Sequence, residues 1–148
     1  RASRDRAQRH PPAPRHRDGM DEGGPMILFH YTCGDHGKPG IDRDGVIRPG
    51  SDLVRAADMT VGLPQAMFAW FTDLDAPHRE GLGLTDTIAK CDRLAHCYAV
   101  DSPKVMPWMG IRRALPRYFV DALEGTPGAM PRHWFVAAEP IKVSETIR

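Results

Sequence analysis

Apolar residues occur along this chain in short runs, and each run ends at glycine, proline or acidic residues. These runs are short and rich in aromatic or β-branched residues, which is the pattern of buried strands. The four clearest predicted strands are MILFHYT (26–32), AMFAWFTD (66–73), HCYAVD (96–101) and HWFVAAEPI (133–141). A briefer strand is predicted around Val46 and Ile47, and IKVSETI (141–147) is expected to continue the last strand as an edge.

A helix is predicted in the segment RRALPRYFVDALEG (112–125), where large apolar residues recur at helical spacing up to Gly125. Pro116 lacks the backbone N–H of a helix interior, so we expect the helix to start near this residue. One or two further helical turns are expected in SDLVRAADM (51–59), because serine is a good N-cap. Short strands with one or two inserted helices predict an α+β fold.

The whole chain has 148 residues, of which 41% are hydrophobic and 26% charged, as in one ordinary globular domain. Residues 1–25 are rich in Arg, Pro, Gly and His and nearly free of large apolar side chains. Such a segment cannot bury enough surface to offset the entropy of ordering. We therefore predict a disordered Arg/Pro-rich leader at 1–25 and a single α+β domain at 26–148.

An excess of positive charge is concentrated at the start of the leader. Its first nineteen residues have an excess of four positive charges, which leaves −3 for the remainder because the whole chain carries +1. A slightly acidic domain does not favour a broad nucleic-acid surface, so nucleic acid is expected only as a locally bound partner. The leader is interpreted as a solvated arm, or as sequence upstream of a start at Met20 or Met26, in preference to an RNA tether.

The apolar runs indicate the cellular location of the protein, and the number of cysteines indicates the redox state of its thiols. No run approaches the roughly twenty apolar residues of a membrane helix, and no apolar segment follows the N-terminal charges as in a secretory signal. We therefore predict no membrane partner and a cytoplasmic location. Cys33, Cys91 and Cys97 form an odd set that does not suit a disulfide framework, and reduced thiols are expected.

The segment LFHYT (28–32) places a histidine, a phenol and a hydroxyl in consecutive positions of an apolar run. A strand sends neighbouring side chains to opposite faces, so His30 and Thr32 share one face while Phe29 and Tyr31 share the other. One face is therefore apolar and the other can bind a ligand. The alternative for a single strand histidine is a buried ring bonded to a backbone carbonyl.

Three segments resemble motifs of the ADP-ribosyltransferase superfamily in its His-Tyr-Glu branch, which includes the catalytic domains of diphtheria toxin and poly(ADP-ribose) polymerase. LFHYT resembles the L-x-H-G-T strand of that family, with His30 and Thr32 at matching positions and Tyr31 in place of glycine. IDRDGVIRP looks like the family element between the first two catalytic strands. AWFTD is similar to the I-Y-F-A-D strand, with Trp70 where the family has a stacking tyrosine.

This resemblance implies an ADP-ribosyltransferase-like fold, with a small split antiparallel sheet and a few short helices, and NAD as the substrate. ADP-ribose would pass from NAD to an unknown macromolecular or small-molecule acceptor, or to water, in a glycosyltransferase that is either toxin-like or housekeeping. Breaking the bond between nicotinamide and ribose develops positive charge on the sugar. Such a site needs a carboxylate, hydrogen bonds to the ribose hydroxyls and an aromatic face for the leaving ring.

The resemblance also implies roles for individual residues. His30 would bond a ribose hydroxyl, the backbone of Tyr31 would hold the nicotinamide amide, and Trp70 would stack on the nicotinamide ring. Thr32 and Thr72 complete the expected NAD-binding set.

The catalytic carboxylate of the family lies on a late strand. Glu139 is the expected counterpart and Glu145 the second choice, and the alternative for both is an ordinary exposed carboxylate. Trp70 and Phe71 alternate across their strand, so one of the two is expected in the core. Trp134 and Phe135 are both assigned to packing.

A metal site is an alternative interpretation of the cysteines and histidines. Cys33 and His36 form C-x-x-H, and the segment CDRLAHC adds Cys91, His96 and Cys97 as soft ligands for zinc. C-x-x-C knuckles are absent, and neighbouring residues 96 and 97 would point to opposite faces of a strand. The sequence therefore favours free buried thiols and no metal.

Two other motif classes are less favoured. A nucleophilic Cys33, with His36 or His133 as base, has no oxyanion hole that the sequence can identify. The segment GLGLTD lacks the third glycine and the preceding strand of a dinucleotide-binding fingerprint, and a triphosphate-binding loop motif is absent. NAD is therefore not expected to bind in the Rossmann manner.

The competing class of protein is a noncatalytic interaction domain, for example a phage, mobile-element or inhibitor-type protein. It would bind its partner through an apolar surface around Trp108 and Met109 and would show no NAD chemistry.

Overall fold

The computed structural model of the protein describes residues 26–50, 68–84 and 91–147. The strands are β1 (Leu28–Thr32), β2 (Val46–Ile47), β3 (Ala69–Thr72), β4 (His96–Val100), β5 (Met106–Pro107), β6 (Trp134–Ala137), β7 (Ile141–Lys142) and β8 (Glu145–Thr146). The α-helices are α1 (Lys38–Asp44), α2 (Trp108–Ile111) and α3 (Arg117–Glu124), and short 3-10 turns span Glu80–Leu82, Arg112–Ala114 and Pro131–His133. The predicted leader and the turns predicted at 51–59 lie outside the described residues.

The strands form two antiparallel sheets. The main sheet has six strands in the order β5-β6-β3-β1-β4-β8, and β2 pairs with β7 in a separate two-stranded sheet. The predicted α+β class is therefore confirmed at the level of a small antiparallel sheet with short helices. No helix within the described ranges combines the length and the apolar character that crossing a membrane requires.

The predicted strands around β1, β2, β3, β4 and β6 are all present. The segment predicted as one continuing edge strand differs, because it forms β7 and β8, which belong to different sheets. Pro140 stands between β6 and β7 and cannot donate to a ladder, so the chain leaves the main sheet there. It returns when Ser144 N donates to Ala99 O at 2.9 Å and β8 pairs with β4.

Proline and glycine set the ends of the helices. Helix α3 begins at Arg117, directly after Pro116, and ends before Gly125, as predicted. Helix α1 covers a segment in which no helix was predicted. Its Pro39 lies in the first turn, where no N–H is needed, and it ends at Gly45 with φ +66°, which glycine adopts without strain.

Register assigns each side chain of the main sheet to one of two faces. Phe29 pairs with Thr72 across β1 and β3, and His30 pairs with Tyr98 across β1 and β4. Directly paired residues of antiparallel strands share a face. The histidine face therefore carries the side chains of His30, Thr32, Phe71, Tyr98 and Phe135, and the aromatic face carries those of Tyr31, Trp70, Thr72, Cys97 and Trp134.

Each face is covered by different elements. Helices α2 and α3 cover the aromatic face, where Trp108 and Phe119 join a buried cluster with Trp134. Helix α1 and the β2–β7 sheet cover the histidine face, through Ile41 and Ile47. The main sheet therefore lies between two apolar layers.

Candidate functional site

His30 lies half-buried in the middle of the main sheet. Its Nδ1 is 2.8 Å from the backbone oxygen of Trp70, and its ring centroid is 5.7 Å from that of Phe71. A carbonyl oxygen can only accept a hydrogen bond, so the Nδ1 of this ring carries the proton. Its Nε2 is then the nitrogen with the lone pair.

The charge of His30 is set by its surroundings. Burial lowers the pKa of His30, the bond to the Trp70 carbonyl opposes this effect, and the positive charge of Arg93 lowers it further. The net direction is below the ordinary value of 6.5. The imidazole is therefore neutral at physiological pH, with Nε2 as a hydrogen-bond acceptor.

The indole of Trp70 lies on the opposite face from His30. It packs 5.3 Å from the ring of Trp108, 6.1 Å from that of Trp134 and 6.2 Å from that of Phe68, measured between centroids. The structure therefore brings His30 to the backbone of Trp70 and separates the two rings. The predicted NAD site places the rings of His30 and Trp70 against one ligand. The structure differs because the register of β1 against β3 pairs position 30 with position 71.

Tyr31 and Thr72 bond to the loop that follows β3. The Tyr31 hydroxyl donates to the backbone oxygens of Asp75 at 2.7 Å and Leu74 at 3.1 Å. The Thr72 hydroxyl accepts from the backbone N–H of Leu74 at 3.2 Å. Both side chains hold this loop against the aromatic face, so their contacts in this structure are structural.

Thr32 lies beneath the loop that follows β1. Its side chain is 2% exposed. A Cβ added to Gly37 would be 2.0 Å from the Thr32 hydroxyl oxygen, so the backbone at Gly37 rests directly on this side chain. Only glycine permits that approach. Thr32 thereby fixes the loop that carries Cys33 and His36.

The two predicted catalytic carboxylates do not join His30. Glu139 follows β6, has a side chain 63% exposed and pairs with Lys104 at 3.0 Å. Glu145 lies on edge strand β8 opposite Ala99, and is therefore on the aromatic face.

Asp42 is a carboxylate that the structure ties to the histidine face and that the sequence did not single out. The hydroxyl of the buried Tyr98 donates to Asp42 Oδ1 at 2.7 Å. A bond from Lys38, then the bond from Tyr98, lower the pKa of Asp42. Asp42 is therefore ionised, and it is held by the residue directly opposite His30 in the ladder.

Cys33, His36 and Cys91 come together at the end of β1. The potential ligand atoms of these three residues all lie within 4.8 Å of one another. Cys33 Sγ is 3.1 Å from His36 Nδ1. Cys33 is buried, Cys91 is half-buried and His36 is exposed, so the group extends from the interior to the surface.

The two cysteines share a proton. Burial alone would raise the pKa of Cys33, but hydrogen bonds from Cys91 and then from His36 outweigh it and lower the pKa to about 6. The bond to Cys33 raises the pKa of Cys91. Cys33 is therefore the thiolate of the pair at neutral pH, and Cys91 retains its proton.

Two arginines lie beside this group. The Nη1 of Arg79 donates to the backbone oxygen of Cys91 at 3.3 Å. The charge of Arg93 acts on both His30 and Cys91. The Nε of Arg93 is buried and has no hydrogen-bond partner among the described residues. A buried guanidinium N–H of this kind is a group that an anionic ligand can satisfy.

The five metal-ligand candidates of the sequence separate into two sets. His96 and Cys97 are neighbours on β4 and point to opposite faces, as predicted. Cys97 is 1% exposed on the aromatic face and does not approach the other thiols closely enough to join their group. The C-x-x-H spacing pointed to two of the three residues, but the choice of Cys91 over His96 and Cys97 as the third requires the pairing of β1 with β4.

Two other predicted features have a different place in the structure. Trp108 is fully buried, so the apolar surface predicted around Trp108 and Met109 is wrong for Trp108, and only Met109 of this pair is exposed. A surface depression of about 290 Å³ is lined by the segment 129–133 and contains none of the residues predicted to bind NAD.

Comparison of this chain with protein-family models, with curated proteins and with solved structures gave no match. The ADP-ribosyltransferase resemblance therefore remains a prediction that rests on the strand motifs of the sequence.

Proposed function

We propose that this chain binds NAD around His30 and Arg93 and acts as an ADP-ribosyltransferase-type domain. It would transfer ADP-ribose to an unidentified acceptor or to water. The observation that carries the proposal is the neutral His30, whose Nδ1 is bound to the Trp70 carbonyl and whose Nε2 is a hydrogen-bond acceptor.

A neutral imidazole held in one tautomer suits a ribose hydroxyl. The hydroxyl donates to Nε2 and keeps its own lone pairs for other donors. A protonated ring would lose this acceptor, so the factors that lower the pKa of His30 also support its proposed role.

Arg93 supports the dinucleotide part of the proposal. NAD carries a pyrophosphate, and guanidinium groups bind phosphate oxygens through parallel N–H donors. The Nε of Arg93 is buried and has no hydrogen-bond partner among the described residues. Its N–H can therefore donate to such an oxygen.

The proposal assigns no contact with nicotinamide to the Trp70 indole, because that ring packs against Trp108 on the aromatic face. Two carboxylates are candidates to stabilise the positive charge that develops on the ribose. Asp42 is favoured by its bond to Tyr98 on the histidine face, and Glu139 is retained from the motif comparison.

The test is calorimetric titration of the full chain with NAD and with ADP-ribose, together with an assay of nicotinamide release. The decisive variant is His30→Asn, because its amide nitrogen can keep the bond to the Trp70 carbonyl while the Nε2 acceptor is lost. We expect NAD affinity to fall about 5- to 10-fold, the equivalent of one hydrogen bond of about 1 kcal/mol. Arg93→Gln is expected to weaken NAD and ADP-ribose alike.

The matched controls are His78→Asn and Arg132→Gln, two exposed residues of the same types. Their affinity for NAD should equal that of the wild type. Loss of nicotinamide release in Asp42→Asn, with binding retained, would identify the carboxylate, whereas the same result in Glu139→Gln would assign it there. A wild-type chain that binds neither NAD nor ADP-ribose would refute the proposal.

A further inference from the structure

We propose that Cys33, His36 and Cys91 form a binding site for a single divalent transition-metal ion, with zinc as the ion that fits the donor set best. Two sulfurs and one imidazole nitrogen would coordinate the ion, and water or a small anion would complete the tetrahedron. This site is independent of the proposed NAD chemistry.

The distances between the three donors suit a tetrahedral ion. Zinc lies about 2.3 Å from a sulfur and about 2.0–2.1 Å from an imidazole nitrogen, so tetrahedral donors are roughly 3.5–3.8 Å apart. All three donors lie within 4.8 Å of one another, and the Cys33 sulfur is 3.1 Å from His36 Nδ1. Displacements well below 2 Å bring every pair to the required separation.

The backbone holds these donors in place without an ion. Thr32, directly before Cys33, pairs with His96 at the end of the β1–β4 ladder, which brings the two chain segments together. The loop between Cys33 and His36 is anchored where Gly37 rests on Thr32 and where Lys38 N donates to Cys33 O at 3.3 Å. A site that is largely formed before binding loses little entropy when the ion arrives.

The second segment is anchored as well. Arg79, from a third part of the chain, donates to the backbone oxygen of Cys91 at 3.3 Å. This contact restrains the backbone of Cys91 without occupying its sulfur. Cys33 and Cys91 therefore each have a backbone contact that restrains their position and leaves their sulfur to bind an ion, and His36 lies in the loop between Cys33 and the anchored Gly37.

The chemistry of the donors selects the class of metal. Thiolate and imidazole ligands suit zinc and its probe cobalt, whereas magnesium and calcium require oxygen ligands. One ion would replace the protons now shared among the three donors. The Cys91 thiol proton would leave to solvent, and the proton on His36 Nδ1 that bonds the Cys33 sulfur would move to Nε2 by exchange with solvent, which leaves the Nδ1 lone pair to coordinate.

Access favours the same interpretation. Cys33 is buried but His36 is exposed and Cys91 half-buried, so an ion can enter from solvent and a fourth ligand can exchange. Cys97 offers a built-in comparison, because it is buried on the aromatic face of the sheet and does not belong to the group.

The first experiment measures metal uptake by the full chain under reducing conditions. We expect one equivalent of cobalt to produce the thiolate charge-transfer band in the near ultraviolet and the strong visible bands of tetrahedral coordination, and one equivalent of zinc to abolish them. Wild-type protein that acquires neither band and retains no zinc after dialysis would overturn the proposal.

The variants Cys33→Ser, His36→Ala and Cys91→Ser test the ligand set. Each should weaken zinc binding by more than about 100-fold, since loss of an outer-shell partner alone costs about 10- to 100-fold. The matched controls Cys97→Ala and His78→Ala should bind one equivalent with unchanged affinity. Stoichiometric binding that survives in all three ligand variants, or that is lost in Cys97→Ala, would contradict the assignment.

A measurement on the wild type guards against variants that fail to fold. Alkylation of the native protein, followed by peptide mass analysis, should label the half-buried Cys91 in the metal-free chain and spare it when one equivalent of zinc is present. Cys97 should react slowly in both states because it is buried. Equal labelling with and without zinc, or a Cys33–Cys91 disulfide that persists under reducing conditions, would refute the site.

Discussion

The two faces of the main sheet use similar residue types in different ways. On the aromatic face, three tryptophans pack ring against ring, with centroid distances of 5.3 to 6.1 Å. Their polar atoms are satisfied locally, since Trp108 Nε1 donates to Glu124 and Trp134 Nε1 donates to Gly81 O, both at 2.7 Å. This face is a closed core.

The histidine face combines apolar packing with titratable groups. Phe71 and Tyr98 pack there, yet His30 and the Tyr98–Asp42 pair lie in the same layer. The metal-ligand group adjoins this layer at the end of β1. Both faces therefore contribute to the core, but the histidine face also holds groups that can bind ligands, and the following substitutions test this difference in order of expected effect.

The largest loss of stability is expected from Trp108→Ala on the aromatic face. Trp108 is fully buried and contacts the rings of Trp70, Phe119 and Trp134. Removing a buried aromatic side chain costs about 3–5 kcal/mol in the free energy of unfolding. Urea denaturation followed by fluorescence and circular dichroism measures this loss.

The control for this substitution is Tyr118→Ala on helix α3, because Tyr118 is 73% exposed. Its effect should stay within about 0.5 kcal/mol. If both substitutions cost the same, the aromatic face does not provide the core that the packing indicates.

A smaller loss is expected from Gly37→Ala at the edge of the histidine face. The added Cβ would be 2.0 Å from the Thr32 hydroxyl oxygen, so the loop must shift. We expect a loss of about 1–3 kcal/mol, as for other overpacked positions. The double variant Gly37→Ala with Thr32→Ala should recover part of this loss, and a double variant as unstable as the sum of the two single variants would exclude the clash.

The matched substitution Gly40→Ala should have the opposite sign. Gly40 lies within helix α1, and a Cβ at this position would have nothing within 4 Å. Alanine at a helix position is more stable than glycine by about 0.5–1 kcal/mol. Thermal or urea unfolding should therefore show a gain of this size, and a loss would mean that α1 is not helical in solution.

The smallest expected effect is a change in pH dependence at His30. Its pKa is lowered in the folded state, chiefly by burial, so the unfolded chain binds more protons below pH 6.5. The contribution of this group is therefore fully present above pH 6.5 and declines as the pH falls toward the folded pKa. His30→Asn should flatten the stability curve in this window, and a curve unchanged from that of the wild type would contradict the burial of this ring.

Some strands and helices of this fold could be predicted from the sequence, and others could not. Strands β1, β3, β4 and β6 follow from local periodicity and composition, and the start of α3 follows from Pro116. Helix α1 was missed because glycine and proline within CGDHGKPG indicated a loop, although proline is tolerated in a first helical turn.

The candidate site depended on information that is not local. The alternation of Trp70 and Phe71 was predictable, but which of the two shares a face with His30 is set by the register of β1 against β3. In the same way, C-x-x-H is visible in the sequence, whereas the approach of Cys91 requires strand pairing over more than fifty residues.

Trp70 links the aromatic face and the histidine face of the main sheet. Its indole packs among the rings on the face that α2 and α3 cover. Its main-chain oxygen accepts a hydrogen bond from His30 Nδ1, and these two atoms are 2.8 Å apart. Any repacking that moves this strand would lengthen or bend that bond and so alter the acidity of an imidazole that the repacked side chains never touch. Replacing Trp108 by large or small apolar residues should therefore change the pKa of His30, on the opposite face of the sheet, by graded amounts. An NMR titration of the His30 ring measures these changes.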